Sequence, residues 1–272
     1  MTSVYAEIIG DPVVQSKSPV IHGFWLAKLG MAGEYRRTQV TAEGFVDWLA
    51  ERRIDPDWLG CNVTMPLKRV ALGGADSADP RAGAVGAANL LVPREGQVVA
   101  GNTDVDGVLA ALPAGLMAAD ARVCLIGAGG AARAALAALR VRGVSAVTLL
   151  VRDVDAGRTL LDEFGVAGTV VEIGDGAALR DAVVINATPL GMRGARAMPQ
   201  AMLDGVAGAR LVFDMVYDPV ETALLRAART AGVRGIDGLE MLVGQAATAF
   251  TAFFGREAPR EHDAELRTLL TS

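Results

Sequence analysis

Two stretches of this chain carry residues whose types and spacing suit chemistry. The first is Asn62-Val-Thr64-Met-Pro-Leu-Lys68. Asn62 and Thr64 stand two apart, so on a strand they point to one face. Lys68 lies just beyond, on the first turn of a helix that Pro66 helps to start. An amide, a hydroxyl and an ammonium converging on one spot suit a polyhydroxylated or carboxylated ligand. Taken singly, each is an ordinary solvated polar residue. The second stretch is Val123-Cys-Leu-Ile-Gly127-Ala128-Gly129-Gly130-Ala131-Ala132. A short apolar run ending in glycines reads as a buried parallel strand entering a tight turn. The Ala-rich segment to Arg142, stopped by Gly143, reads as a helix. Gly127, Gly129 and Ala132 fill the positions of a dinucleotide fingerprint, G-x-G-x-x-G/A. Gly127 permits the turn, Gly129 lets a pyrophosphate approach the backbone, and the free N–H groups at the helix start favour its charge. The plainer alternative is a strand–helix turn with no ligand.

Other polar residues fall in places that packing alone does not call for. Ser16 and Ser18 precede Pro19; they serve either as turn and cap chemistry, with Ser18 the N-cap, or as hydroxyls offered to a polar ligand. Asn89 lies inside a small apolar run and needs partners if buried. Asp104 ends a strand read from Val98 and is either the N-cap of a helix over 105–112 or the carboxylate partner of Lys68. Gln245 interrupts an apolar helix from Gly238 to Phe254 whose Met and Phe positions core packing explains.

The elements that must position these residues alternate between strands and helices. Strands are expected at 4–9, 35–40, 58–64 and 98–104 in the first half, and at 123–126, 146–151, 183–186 and 211–216 in the second. Helices are expected at 19–29, at 42–53 capped by Thr41, and at 221–231. Alternation of this kind predicts an α/β fold with parallel sheets. The length of 272 residues allows two modest domains. A net charge of −5 and a pI near 5.2 argue against a general nucleic-acid surface. Cys61 and Cys124 each sit in an apolar run, which predicts buried reduced thiols and a cytoplasmic setting. With His22 and His262 the only histidines, metal-ligand spacing is lacking. No apolar run reaches the roughly 18 residues needed to span a membrane, and the start, with Glu7 and Asp11 and no basic region, does not read as a signal sequence.

In combination, four segments resemble the signature segments of the shikimate dehydrogenase family, in its order and spacing. They are Ser16-Lys-Ser18-Pro-Val-Ile-His22, Asn62-Val-Thr64-Met-Pro-Leu-Lys68, Gly86-Ala-Ala-Asn89 and Gly101-Asn-Thr-Asp104. In the second half Ala187-Thr188-Pro189-Leu190-Gly-Met192 is similar to the family's loop beside the cofactor. Asp214-Met-Val216-Tyr217-Asp-Pro matches its Asp-x-x-Tyr-x-Pro pattern. Gly238-Leu-Glu-Met-Leu-Val-Gly-Gln245 is similar to the segment that returns to the substrate domain. The resemblance implies an N-terminal α/β substrate domain over 1–104, completed by C-terminal helices from about 238 to 272. A Rossmann-type doubly wound dinucleotide-binding domain over 105–237 is implied beside it, with the active site in the cleft.

It further implies reversible reduction of 3-dehydroshikimate to shikimate, in aromatic amino-acid biosynthesis. Lys68 would move the proton, and Asp104 would hold the ammonium or share that proton. Ser16 and Ser18 would receive the ring carboxylate, Asn62, Thr64, Asn89 and Gln245 would bind hydroxyls, and Tyr217 would join the substrate site. The cofactor residues would be Gly127, Ala128, Gly129, Gly130, Ala131, Arg152, Asp153, Thr188, Pro189, Leu190, Met192, Val216 and Gly238. Arg152 resembles the family's 2′-phosphate-binding arginine, which favours NADP, with NAD possible. The family's Asn-Arg-Thr run has become Val151-Arg152-Asp153, and Asp153 would repel a 2′-phosphate if it faced inward. Gly23 after His22, and Ala88 and Leu90 around Asn89, depart from the family at the pocket walls. Quinate or an aminated analogue as substrate, and a ligand sensor without catalysis, remain open. No nucleic-acid or membrane partner is expected, and the chain is expected to be a monomer or homodimer.

Overall fold

A computed structural model describes residues 4–112, 115 and 121–272. Residues 1–3 of the start read for a signal sequence lie outside them. The chain divides into two compact units: one runs to Thr103 and resumes over Gln245–Ser272, and the other is Asp104–Gly244.

The first unit is built on strands β1 (Tyr5–Gly10), β2 (Glu34–Gln39), β3 (Trp58–Val63), β4 (Ser77–Ala78), β5 (Leu90–Arg94) and β6 (Gln97–Gly101). They form one sheet in the order β2-β1-β3-β5-β6-β4. β1 runs parallel to both β2 and β3, whereas β5 is antiparallel to β3 and β6. β1 is buried along its whole length, as a central strand covered on both faces must be. Its Tyr5 and Ile9 pack with Phe45, Trp48 and Leu49 of α2 (Phe45–Arg53). Ala6, facing the other way, packs with Leu90, Ala249 and Phe253, the last two from α10 (Gly238–Phe254). Trp25 of α1 (Ser18–Lys28) meets Phe250 edge to face at 5.5 Å.

The second unit holds β7 (Val123–Ile126), β8 (Ala146–Val151), β9 (Ala167–Glu172), β10 (Val183–Asn186), β11 (Leu211–Asp214) and β12 (Arg234–Ile236), in the order β12-β11-β10-β7-β8-β9. Every pairing is parallel. Renumbered from β7, this is the 3-2-1-4-5-6 order of a doubly wound dinucleotide fold, with its switch point between β7 and β10. The apolar run Val123–Ile126 is the first strand, buried throughout, and α6 (Gly130–Val141) follows the glycines directly.

Several local expectations are corrected. Ser18 is not a cap: it is the first residue of α1, Lys17 holds the N-cap position, and Ser16 Oγ accepts from the Ser18 N–H at 3.2 Å. Thr41 closes a turn by accepting from the Gly44 N–H, and α2 starts only at Phe45. β3 ends at Val63, so strand alternation does not place Thr64. α3 (Lys68–Gly74) begins at Lys68, with Pro66 in the turn before it. β6 stops at Gly101, and Asp104 is the first residue of α5 (Asp104–Ala111) rather than its cap. β11 stops at Asp214, because Asp214 turns back to accept from the Val216 N–H at 3.1 Å. Cys61 and Cys124 are free and buried, and burial pushes both thiols up, Cys124 to about 12. No helix among the described residues is long and apolar enough to cross a membrane.

Candidate active site

In the first unit, Asn62 stands near the end of β3 and is buried. Its Oδ1 accepts from the Tyr35 hydroxyl at 2.6 Å, and its Nδ2 donates to the Asn89 carbonyl at 3.2 Å. Asn89 is buried just before β5. Its Nδ2 donates to Thr103 Oγ1 at 3.1 Å, and its Oδ1 accepts from the Thr103 N–H at 2.7 Å. Thr103 Oγ1 donates in turn to Gln245 Oε1 at 3.3 Å. Asn62, Asn89, Thr103 and Gln245 therefore form one connected buried chain of amides and hydroxyls, far apart in sequence. Such a network specifies a unique arrangement only when its members are satisfied.

Backbone hydrogen bonds fix Thr64 and the start of α3 on the segments beside it. The Thr64 N–H donates to the Ile9 carbonyl at 2.9 Å. The Thr64 methyl lies where a Cβ on Gly10 would sit, 2.4 Å away, so this close approach requires glycine at position 10. The Ala88 N–H donates to the Lys68 carbonyl at 2.8 Å, which ties the start of α3 to the segment carrying Asn89.

Sequence reasoning passed over Tyr35. Its phenol reaches Asn62, and Ser18 hydrogen-bonds the same hydroxyl. Burial pushes this phenol well above its usual range, the nearby Cys61 adds to the shift, and the Ser18 hydrogen bond opposes it. The Tyr35 ring stacks on His22 at 3.9 Å with 4° between planes. Burial holds His22 neutral, with its pKa pushed down to about 3. No motif marked Tyr35, because β2 reads Glu-Tyr-Arg-Arg-Thr-Gln and looks like an exposed edge.

In the second unit, the glycine turn lies at the carboxyl end of β7. Gly127 has φ +111°, and a Cβ there would meet Thr188 Cγ2 at 2.7 Å, so only glycine fits. Among the described residues, added Cβ atoms at Gly129 and Gly130 would meet nothing within 4 Å, and no side chain caps the start of α6. Backbone N–H groups at a helix start, open to close approach and uncapped, fit a pyrophosphate. Ala128 and Ala131 complete this turn, both half-buried. Opposite, Thr188 donates its N–H and hydroxyl to Asn186 Oδ1 at 3.1 and 2.7 Å. Pro189 and Met192 of the same loop are exposed and Leu190 is half-buried. Val216 is buried, and the Gly238 N–H donates to its carbonyl at 3.3 Å. Burial, and then the Asp218 carboxylate, raise the Tyr217 phenol.

Arg152 and Asp153 follow β8, both exposed. Asp153 is the N-cap of α7 (Val154–Phe164): its Oδ1 accepts from the N–H groups of Asp155 and Ala156 at 3.1 and 3.0 Å. Arg158 pairs with Asp155 at 2.8 Å. Asp104 is buried at the start of α5. Among the described residues no group of three or more His, Cys, Asp or Glu side chains could hold a metal ion.

Comparison with known proteins gives these arrangements a family. Residues 8–91 match the model of the shikimate dehydrogenase substrate binding domain, and residues 238–265 that of the shikimate 5′-dehydrogenase C-terminal domain. A shikimate dehydrogenase (NADP(+)) of Sphingopyxis alaskensis is 45% identical, over 99% of this chain and 98% of that protein. The crystal structure of the Thermus thermophilus shikimate 5-dehydrogenase in complex with NADP(H) and shikimate superposes with a TM-score of 0.86. It is 32% identical and covers 98% of this chain and 99% of that one. The ligand-free 5-ketofructose reductase of a Gluconobacter strain shares the fold as well, with a TM-score of 0.87 at 25% identity over 99% of both chains. With full-length identity to a named member added to the site geometry, the chain belongs to the shikimate dehydrogenase family.

Proposed function

We propose that this chain is an NADP-dependent shikimate dehydrogenase, interconverting 3-dehydroshikimate and shikimate. The observation that carries the reading is the buried chain Asn62–Asn89–Thr103–Gln245, with Lys68 tied beside it through Ala88. A row of amides and hydroxyls suits a ring bearing several hydroxyls, because each member both donates and accepts. Asn62, Thr64, Asn89 and Gln245 bind those hydroxyls. Ser16 and Ser18 receive the carboxylate, and Tyr217 supports the ring.

NADP binds on the second unit. Its pyrophosphate rests on the Gly127–Ala131 turn, Thr188 to Met192 with Val216 and Gly238 lie along its nicotinamide half, and Arg152 takes the 2′-phosphate. When bound, the nicotinamide delivers or accepts the hydride. Reducing a ketone leaves an alkoxide that needs a proton. Lys68, a charged ammonium on the first turn of α3, donates it as general acid and takes it back in the reverse direction. Asp104, next in chain to Thr103, shares that proton.

The 45%-identical relative named for NADP(+) supports the cofactor, and so does the use of Asp153 Oδ1 to cap α7, which holds that carboxylate at the helix start. The 5-ketofructose reductase on the same fold is the reason to test the substrate directly. The deciding experiment is a matrix of shikimate, quinate, an aminated analogue and 5-ketofructose against NADP and NAD. The expected result is the highest kcat/KM for shikimate with NADP. A higher value for another pair reassigns the enzyme, and tight shikimate binding without turnover makes it a sensor. Two buried free thiols support a cytoplasmic setting, and sedimentation decides between monomer and homodimer.

A further inference from the structure

We infer that the buried carboxylate of Asp214 is a positioning residue of the cofactor site, acting through Asn186 on the loop that faces the glycine turn. This rests on the dinucleotide reading above. Asp214 is the last residue of β11 and is fully buried. Its Oδ1 accepts from Asn186 Nδ2 at 2.9 Å and from the Val216 N–H at 3.1 Å, and its Oδ2 accepts from the Thr222 hydroxyl at 2.7 Å. Burial pushes this carboxyl up, against the hydrogen bonds from Thr222, Val216 and Asn186. A group of this kind is costly to bury, and an apolar side chain would fill the space without that cost.

What the carboxylate provides is direction. An ionised carboxylate only accepts hydrogen bonds, so with the Leu190 carbonyl, a longer acceptor at 3.3 Å, it holds the Asn186 NH2 on its side and turns the amide oxygen the other way. That oxygen then receives both the N–H and the hydroxyl of Thr188. The Thr188 hydroxyl receives the Leu190 N–H at 3.1 Å, so the polarity continues along the loop. The loop in turn lies against the glycine turn: the Ala187 N–H donates to the Ile126 carbonyl at 2.9 Å, and Thr188 occupies the space a Gly127 side chain would need. The same carboxylate fixes Val216, whose backbone packs so closely on Gly238 that a Cβ there would sit 2.6 Å from the Val216 carbonyl carbon. Asp214 thus sets the loop after β10 and the turn after β11, at the switch point where a dinucleotide binds.

The test is the dissociation constant of NADPH without substrate, by fluorescence, at a temperature well below the melting point of each variant. Asp214→Ala removes the shorter of the two hydrogen bonds that hold the Asn186 NH2, leaving only the one to the Leu190 carbonyl at 3.3 Å, and NADPH should bind about tenfold more weakly, the scale of losing one hydrogen bond to a charged group. Asp214→Asn keeps an acceptor oxygen for Asn186 and Val216 and should recover most of that loss, whereas Asp214→Leu fills the space without an acceptor and should not, which a role in packing alone does not predict. Should Asp214→Ala fail to fold, Thr222→Val and Thr222→Ser test the far oxygen: Val should weaken NADPH binding and Ser should restore it. Gly129→Val is run beside them. If Gly129→Val weakens NADPH binding while Asp214→Ala and Thr222→Val leave it unchanged, the inference is overturned and the dinucleotide reading stands. If all three leave it unchanged, the placement of the dinucleotide fails and the inference fails with it.

Discussion

At the scale of single residues, chemistry and support separate. Lys68 is the group whose removal should strike the chemical step. Lys68→Ala should lower kcat by roughly 10²–10⁴-fold, the usual range for a positioned general acid, with far less effect on shikimate binding. Stopped-flow and steady-state rates check this, and a variant with near-normal kcat removes Lys68 from the mechanism. Tyr35 is the opposite kind of residue, since its hydroxyl touches Asn62 and Ser18 rather than a reacting atom. Tyr35→Phe preserves the ring that stacks on His22 and deletes only that hydroxyl. It should raise the shikimate KM several-fold, about 0.5–1.5 kcal/mol for one neutral hydrogen bond, with kcat little changed; an equal fall in kcat would instead make the phenol part of the chemistry. Asn62, Asn89 and Gln245, which the fold joins in one buried network, could be singled out in the sequence because they stand in motifs. Tyr35 could not, because a tyrosine between charged residues on an edge strand looks like surface until His22 is found stacked on it.

At the scale of elements, three strands of the second unit, 123–126, 146–151 and 183–186, could be read to the residue, β11 was read two residues too long, and β9 and β12 were not read at all. Short runs such as 123–126 and 183–186, apolar but for Asn186, are buried along their whole length. Helix starts were less legible, because several polar residues near each start compete to cap it and only geometry decides. Asp153 is the instructive case. From sequence it looked like a charge threatening a phosphate, and in the fold its carboxylate accepts from the first N–H groups of α7. This yields a prediction about cofactor choice. Arg152→Ala should weaken NADP by about 1–3 kcal/mol, the scale of a charge-assisted hydrogen bond, and leave NAD nearly untouched. Asp153→Ser keeps a capping oxygen and removes the neighbouring negative charge. It should improve kcat/KM for NADP and not for NAD. If Asp153→Ser damages NAD use instead, the carboxylate serves the ribose and its role as a cap is secondary.

At the scale of the whole molecule, buried ionisable groups make stability depend on pH, and none of this was visible in composition. In the first unit Glu7 is fully buried and meets Arg52 at 2.8 Å, with Thr38 as a further partner. Leaving that carboxylate unpaired, as Arg52→Ala would, should cost about 3–5 kcal/mol, measured by urea unfolding. His22 has the simpler pH signature. Burial alone depresses its pKa to about 3, and neither ring nitrogen has a hydrogen-bond partner among the described residues. In the unfolded chain the same imidazole titrates near its ordinary 6.5. Between those values the unfolded state binds a proton that the folded state refuses, so the stability carried by neutral His22 is complete above about pH 6.5 and is lost as pH falls toward 3. The slope approaches about 1.4 kcal/mol per pH unit inside that window. His22→Phe keeps a flat ring for the stack on Tyr35 and cannot take the proton. Every other titrating group is common to the two proteins, including the depressed carboxyls of Asp55, Asp76 and Glu265 and the raised one of Asp214, so the difference between their unfolding free energies isolates His22. Between pH 7 and pH 4.5 the wild type should lose stability faster than His22→Phe, by close to one proton's worth of slope at the acid end. Parallel curves would mean that the imidazole finds water or a partner in the folded protein and is not held neutral by its surroundings.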